Sequence, residues 1–347
     1  MARKVEKVSI FTIATELGIS PSSVSRVINN RTGVSEETRH AVNVLLNRYH
    51  FRKKYPEMHI KRIAIVLSVM NGVNEYSSLV LTGIYESLLK KGMTACTIPL
   101  RDDIPQKVSI LSQIREQQCS AAILLPSRYS KEDLLELGKS GLPITSIDYD
   151  ADMSELGIVN NDSVSGAREL TKHLLSLGHR KIGFITRWSE DNNHRERLQG
   201  CQQAMQEENL PAENLTVIDG DFYDLSFPSG ESGAELFRIM RKTHPDITAV
   251  IGINDSIALG ILHAAHEMKL RVPEDISIAG FDDIAFCKYT QPPLTTVFHP
   301  CIEAGHRAVE QVVNALNHHD YKPRKEILST HLVIRRSTGP APKISCK

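Results

Sequence analysis

Aromatic residues and paired cysteines are scarce in this chain. One Trp stands among 347 residues, and aromatics make up 5% of the total. The six cysteines are Cys96, Cys119, Cys201, Cys287, Cys301 and Cys346, with no Cys-x-x-Cys pair and no Cys/His cluster at zinc spacing. That pattern excludes a zinc module and a disulfide-stapled secreted scaffold, and the thiols are expected to stay reduced. Long apolar runs are missing as well. The run 121–125 falls far short of the roughly 20 residues that span a bilayer. The opening Met1-Ala2-Arg3-Lys4-Val5-Glu6-Lys7 lacks the apolar stretch of a signal peptide. A cytoplasmic protein with no membrane partner is expected.

Net charge is absent too, since 41 Lys and Arg face 41 Asp and Glu. The balance hides an asymmetry: residues 1–62 hold 12 basic and 5 acidic side chains, and the remainder holds 29 and 36. A basic head on an acidic body suits a head that meets phosphate while the body stays off it. Enzyme motifs are missing. There is no Gly-x-x-x-x-Gly-Lys, no Gly-x-Gly-x-x-Gly, no Gly-x-Ser-x-Gly and no His-Glu-x-x-His. Ser87 and Lys90 match a Ser-x-x-Lys spacing without its companion motifs. No catalytic residue, metal or cofactor is assigned, and an enzyme is not expected. What remains, 41% hydrophobic and 24% charged, is ordinary globular composition in a length that fits two or three compact units.

The head reads as three short helices. Ile10, Ile13, Ala14 and Leu17 recur at helical spacing, with Ser9 placed to cap and Gly18 to stop. Ser20 caps a second helix, and Pro21 takes its first position, where a missing N–H does no harm. Val24, Val27 and Ile28 form its inward stripe. A third helix starts at Ser35, with Glu36 and Glu37 near its positive dipole end and Ala41, Val42, Leu45 and Leu46 inward. Helix, Gly-containing turn, helix is the helix-turn-helix pattern, whose second helix enters the major groove. Pro21, Ser22, Ser25 and Arg26 lie on its outward face. Arg26 can fork to guanine O6 and N7, and Ser22 can bond either kind of base edge. Ser20, Ser23, Ser25, Asn29 and Asn30 suit phosphate oxygens. Three ordinary packed helices with solvated serines would show the same spacing.

The strings Ile13-Ala14, Gly18-Ile19-Ser20, Ser23-Val24-Ser25-Arg26-Val27-Ile28-Asn29, Val34-Ser35 and Thr38-Arg39 resemble the N-terminal signature of the LacI/GalR repressor family. The resemblance implies base reading by Pro21, Ser22 and Arg26. It also implies a hinge helix after the third helix, with a leucine wedged into the minor groove. Here 51–62 departs from that pattern. Phe51 suits the aromatic position, but the usual Asn, Ala and Leu are missing and Pro56 obstructs a continuous helix. Met58 or Ile60 could act as the wedge, or the segment could be a plain basic tether.

After residue 62 the pattern becomes alternating strand and helix. Strands are expected at 63–67, 93–98, 121–125, 144–147, 181–186, 215–218, 249–251 and 276–279, with helices between them. Such repeats build parallel sheets covered on both faces, and their ligands bind outside the C-terminal strand ends. The expected fold is a small all-α helix-turn-helix head plus an α/β, periplasmic-binding-protein-like sensor of two doubly wound parallel-sheet lobes. The expected divisions are a head at 1–50, a linker at 51–62 and a sensor at 63–347. Within the sensor, one lobe takes 63–161 and 292–325, and the other takes 162–291 and 326–347.

Several polar groups fall at strand ends: Asp148 and Tyr149, Asn254 and Asp255, Asp282 and Asp283. Their carboxylates and amides can pair with vicinal hydroxyls, and Arg197 can fork to an oxygen ligand. Trp188 or Phe222 could stack on a sugar face or a purine. Blander roles fit the same residues: a surface ion pair for Arg197, helix caps for Asn254 and Asp255, a turn for Asp282, plain packing for Tyr76 and Phe222. Gly178-His179-Arg180 reads as a helix stop with cations near the negative dipole end.

The body, too, resembles the LacI/GalR family, in Arg195, Arg197-Leu198 and Gly200, in Asn254-Asp255 and Ala258-Leu259-Gly260, and in Gly280-Phe281-Asp282-Asp283. The resemblance implies an effector held by Arg197, Asn254 and Asp282, lined by Asp148 and Phe222, and covered by Tyr76. It implies a homodimer on a pseudo-palindromic double-stranded DNA operator. The tail 337–347 has no leucine heptad of the tetramer-forming kind. The expected function is a sequence-specific transcriptional regulator, a repressor, controlled by a small carbohydrate effector. A free-standing sugar-binding protein with a protein-interaction head is the second reading, and an α/β enzyme the third.

Overall fold

A computed structural model describes residues 9–28, 32–49, 61–68, 75–100, 108–127, 129–149, 155–186, 192–220, 229–318 and 320–342. The chain divides into two units, 1–60 and 61–347.

The first unit holds α1 (Ile10–Leu17), α2 (Pro21–Ile28) and α3 (Glu36–Arg48). The expected caps are in place. Ser9 Oγ accepts the Thr12 N–H at 3.3 Å, and Gly18 ends α1 in the left-handed region at φ 64°. Ser20 Oγ accepts the Ser23 N–H at 3.1 Å, and Ser35 Oγ accepts that of Thr38 at 3.3 Å. Ile13, Ala14, Val24, Val27, Val42 and Leu45 form the core. Tyr49, just past α3, donates its hydroxyl to Glu16 of α1 at 2.5 Å and ties the helix ends together.

The second unit runs β1 (Arg62–Ser68), α4 (Glu75–Lys90), β2 (Thr94–Leu100), α5 (Ile110–Glu116), β3 (Ala121–Leu124), α6 (Lys131–Gly138), β4 (Ile144–Ile147) and β5 (Gly157–Asn161). It continues with α7 (Ser163–Ser176), β6 (Ile182–Thr186), α8 (Asn192–Glu207), β7 (Leu215–Asp219), α9 (Ser229–Thr243), β8 (Ala249–Gly252), α10 (Asp255–Glu267) and β9 (Ser277–Ala279). It closes with β10 (Thr296–Phe298), α11 (Cys301–Asn317), β11 (Lys325–Leu328) and β12 (His331–Val333). One parallel sheet has the order β11-β5-β4-β3-β1-β2 and the other β7-β6-β8-β9, while β10 and β12 form an antiparallel ribbon. In the first sheet the two faces of β1 serve different cores. Ile63, Ile65 and Leu67 pack towards α4 and α11. Ala64 and Val66 pack with residues of α5 and α6. That division is the period-two logic of a strand buried on both faces.

Glycine sets the closeness of the helix pairs. A Cβ on Gly260 of α10 would lie 1.8 Å from the Gly230 carbonyl of α9. One on Gly83 of α4 would lie 2.0 Å from the Ile302 carbonyl of α11, and one on Gly200 of α8 2.3 Å from the Val164 carbonyl of α7. No other residue permits these approaches.

The crossings between lobes differ from the expected divisions. The strand β11 pairs with β5, so 325–328 stays with the first lobe. Leu294 and Val297 pack into the second lobe's core. The chain therefore crosses three times: after β5, between β10 and α11, and between β11 and β12. The antiparallel pairing of β10 with β12 holds both segments on the second lobe and moves the crossings towards the C-terminus.

Gly178 ends α7 with φ 92°, and Arg180 donates to the Leu175 carbonyl at 2.9 Å, as a helix stop should. His179 is not a dipole-facing cation. It is fully buried between Thr248, Ser277 and the Gly339 carbonyl, and burial pushes its pKa down, towards the neutral ring. Among the described residues, Cys119, Cys201, Cys287 and Cys301 are free and buried, and no helix is long and apolar enough to cross a membrane.

Candidate functional site

Two places gather the residues singled out above, one in each unit. In the head, α2 turns Val24 and Val27 inward, which leaves Pro21, Ser22 and Arg26 exposed and Ser25 half-buried. Ser20 Oγ lies 2.7 Å from Ser22 Oγ and 2.9 Å from Ser23 Oγ, so the helix start carries a linked set of hydroxyls. The Arg26 guanidinium passes over Gly33, where a Cβ would meet Nη1 at 3.0 Å. Ser20, Pro21, Ser22, Ser25 and Arg26 thus share the first two turns of one helix. Asn29, Asn30, Met58 and Ile60 lie outside the described residues.

In the second unit the residues expected at strand ends converge. Asp148 follows β4 and Asp282 follows β9, with φ of 49° and 117°. Non-glycine residues adopt such angles at a cost and are concentrated at functional sites. The Asp148 carboxylate accepts the Tyr76 hydroxyl at 2.5 Å and the Asn161 amide at 2.7 Å. Asp282 Oδ1 accepts Arg197 Nη2 at 3.0 Å, while Arg197 Nη1 donates to the Ile253 carbonyl at 2.7 Å. The guanidinium lies 3.8 Å from the Phe281 ring centroid. Arg197 is set by α8, in its second turn after the start at Asn192. From the same helix, Asn193 Nδ2 donates across the lobes to the Asp148 carbonyl at 3.2 Å.

One residue absent from the expected set joins the two halves. His299, in the crossing after β10, places Nε2 3.0 Å from Asp148 Oδ2 and Nδ1 3.4 Å from Asp282 Oδ1. Nε2 is not aligned as a hydrogen bond, so the approach to Asp148 is an ion contact. Asp148, Arg197, Asp282 and His299 are exposed by 1%, 5%, 6% and 2%. Burial alone would push the His299 pKa down, but the charge of Asp148 beside it, with the hydrogen bond to Asp282, holds it well above its ordinary value. Burial would likewise raise Asp148. The His299 charge and the bonds from Tyr76 and Asn161 outweigh it and hold the carboxyl below its ordinary value. His299 lies seven residues past the expected lobe crossing at 292, and its polar ring beside Pro300 is the signal that could have found it.

The other expected residues divide. Asn254 caps α10, accepting the Ile257 N–H at 2.9 Å. Asp255 is fully buried, accepting the Thr296 hydroxyl at 2.6 Å and the Ile284 N–H at 2.9 Å. Burial, then the neighbouring Asp282 charge, pushes its carboxyl up to about 7. Asp283 pairs with Arg335 at 2.6 Å. Tyr149 packs edge-on against Tyr129. Phe222 and Trp188 lie outside the described residues.

Residues 9–52 match the family described as bacterial regulatory proteins, lacI family, and residues 171–338 match the periplasmic binding protein-like domain. The chain is 28% identical over 334 residues to the HTH-type transcriptional repressor PurR of Photobacterium profundum, covering 95% of this chain and 98% of that one. Among solved structures it is similar to a LacI family transcriptional regulator from Enterococcus faecium with bound ribose (TM-score 0.73, 24% identity, 81% of this chain and 99% of that one). It is also similar to the lac repressor dimer bound to operator and an anti-inducer (TM-score 0.73, 21% identity, 96% of this chain and 100% of that one). At these identities the structural likeness speaks to the fold.

Proposed function

Because the chain belongs to the LacI family and is a DNA-binding transcriptional regulator controlled by a small-molecule effector, we propose that it represses transcription as a homodimer on a pseudo-palindromic operator. Its effector is a carbohydrate held between the lobes. Pro21, Ser22 and Arg26 read base edges, with Ser20, Ser25 and Asn29 on phosphates. Arg197, Asp282 and Asp148 hold the effector, with Tyr76, Asn254 and Phe222 around it. One helix reads too few bases alone, and two-fold symmetry doubles the site. The observation that carries this reading is the exposed polar start of α2 on a closed three-helix core.

The effector acts by binding one arrangement of the lobes better than another, which biases the heads. Selection of bound fragments from a random duplex pool, followed by mobility shifts with and without ribose and related sugars, tests the whole reading. A two-fold symmetric consensus whose retention changes with a sugar is expected. Retention of all duplexes alike, sugar or none, would overturn it. Sedimentation at working concentration should give a dimer.

A further inference from the structure

We propose that His299 is a further effector-site residue and sets the charge class of the ligand: held as a cation between the acids of the two lobes, it makes the site neutral and selective for an uncharged, polyhydroxylated compound. The inference rests on the reading of this cleft as the effector site.

The geometry is a chain of contacts through the centre of the second unit. Tyr76, on α4, reaches Asp148, which touches His299, which touches Asp282, which is bound by Arg197. The Tyr76 and His299 rings also stack at 5.4 Å, tilted by 34°. Among the described residues, the ionisable groups facing His299 are Asp148 from the end of β4, Asp282 from the turn after β9, Tyr76 from α4 and Cys301 from α11. Arg197 stands behind Asp282. Burial pushes the Tyr76 pKa up, and the Asp148 charge adds to it, so Tyr76 stays neutral. Burial does the same for the Cys301 thiol. Among the described residues in this chain of contacts, the carboxylates of Asp148 and Asp282 are left facing the cations His299 and Arg197.

That balance decides what can enter. In a desolvated site an unpaired charge is strongly disfavoured, whereas a matched set is not. A phosphate or carboxylate ligand adds a negative charge that neither Arg197 nor His299 is spare to meet, since both are engaged by Asp282. An uncharged polyol leaves the sum unchanged. Its hydroxyls can donate to Asp148 and Asp282 and accept from Arg197 Nε, which is buried with no partner among the described residues. With a neutral imidazole, the same pocket would hold one uncompensated negative charge.

The test uses the full-length protein and two measurements. The first follows the imidazole carbon and nitrogen shifts of isotopically labelled histidine against pH, with the His299 signal assigned by its loss in His299→Gln or, should that variant not fold, His299→Lys. A ring protonated to at least one unit above the ordinary value of about 6.5 is expected, and titration at or below that value overturns the proposal. The second compares matched pairs by thermal shift and calorimetry: ribose with ribose 5-phosphate, and glucose with glucose 6-phosphate and gluconate. The uncharged member of a binding pair should bind at least tenfold tighter, with that margin shrinking in His299→Gln. A charged member binding as tightly to the native protein overturns the proposal without any variant. If no member of either set binds, the carbohydrate reading of the cleft fails, and the imidazole titration alone upholds or rejects the neutral charge balance.

Discussion

The two candidate sites are built in opposite ways. On α2 the polar side chains stand exposed on a small core, with Pro21, Ser22 and Arg26 in water. In the second unit Asp148, Arg197, Asp282 and His299 are almost wholly buried and engage one another. A duplex brings its own dense charge, so a surface that meets it needs reach and hydrogen-bonding groups more than rigid burial. A small ligand offers few atoms, so its site must be preorganised and dry, which requires every charge to have a partner beforehand. Exposed site residues are therefore separable from stability, and buried ones are not.

That contrast can be broken by mutation. The largest effect is expected at Arg197→Ala, which leaves Asp282 buried with only His299 and should cost about 3–5 kcal/mol in denaturant unfolding of the second unit. A loss below about 1 kcal/mol would mean the pair is not structurally required. Next comes Asp255. Its pKa is raised to about 7, so the stability it contributes is fully present below the ordinary carboxylate range and is lost as pH rises towards 7. Melting midpoints of the native protein should fall between about pH 5 and 7, and Asp255→Asn should flatten that slope by on the order of a few kcal/mol. An unchanged slope would place the titration elsewhere. Arg26→Ala should weaken specific DNA binding by about 1–3 kcal/mol and relax one base position. It should also shift stability by less than about 0.5 kcal/mol, as exposed positions do. Equal discrimination among operator variants would remove Arg26 from base reading. The smallest change is expected at Ser22→Ala, about 1 kcal/mol or less in affinity with no change in melting; a clear loss of melting temperature would show that its bond to Ser20 is structural.

How far the sequence could be read follows from the range of the forces involved. The head was legible almost residue by residue, because caps, glycine stops and helical periodicity act within a few residues. Ser9, Gly18, Ser20 and Ser35 do what their neighbours demand. The buried strands β1, β3 and β4 were visible for the same reason. The ribbon of β10 and β12 was not, since its pairing joins segments more than 30 residues apart and each strand is only three residues long, too short for a pattern. In the site, Asp148, Arg197, Asp282 and Tyr76 could be placed from strand ends and the family resemblance, and the structure brings them together. His299 and the buried state of His179 escaped because they depend on which distant carboxylates, hydroxyls and carbonyls surround a ring.

The three crossings have a mechanical consequence. Twisting one lobe against the other would shear three backbones at once, while opening and shutting bends all three together. Any change in the angle between the lobes must therefore be absorbed at all three crossings together. A compound bound between the lobes would act on those three crossings at once, and a different affinity for two arrangements of the lobes would shift their populations.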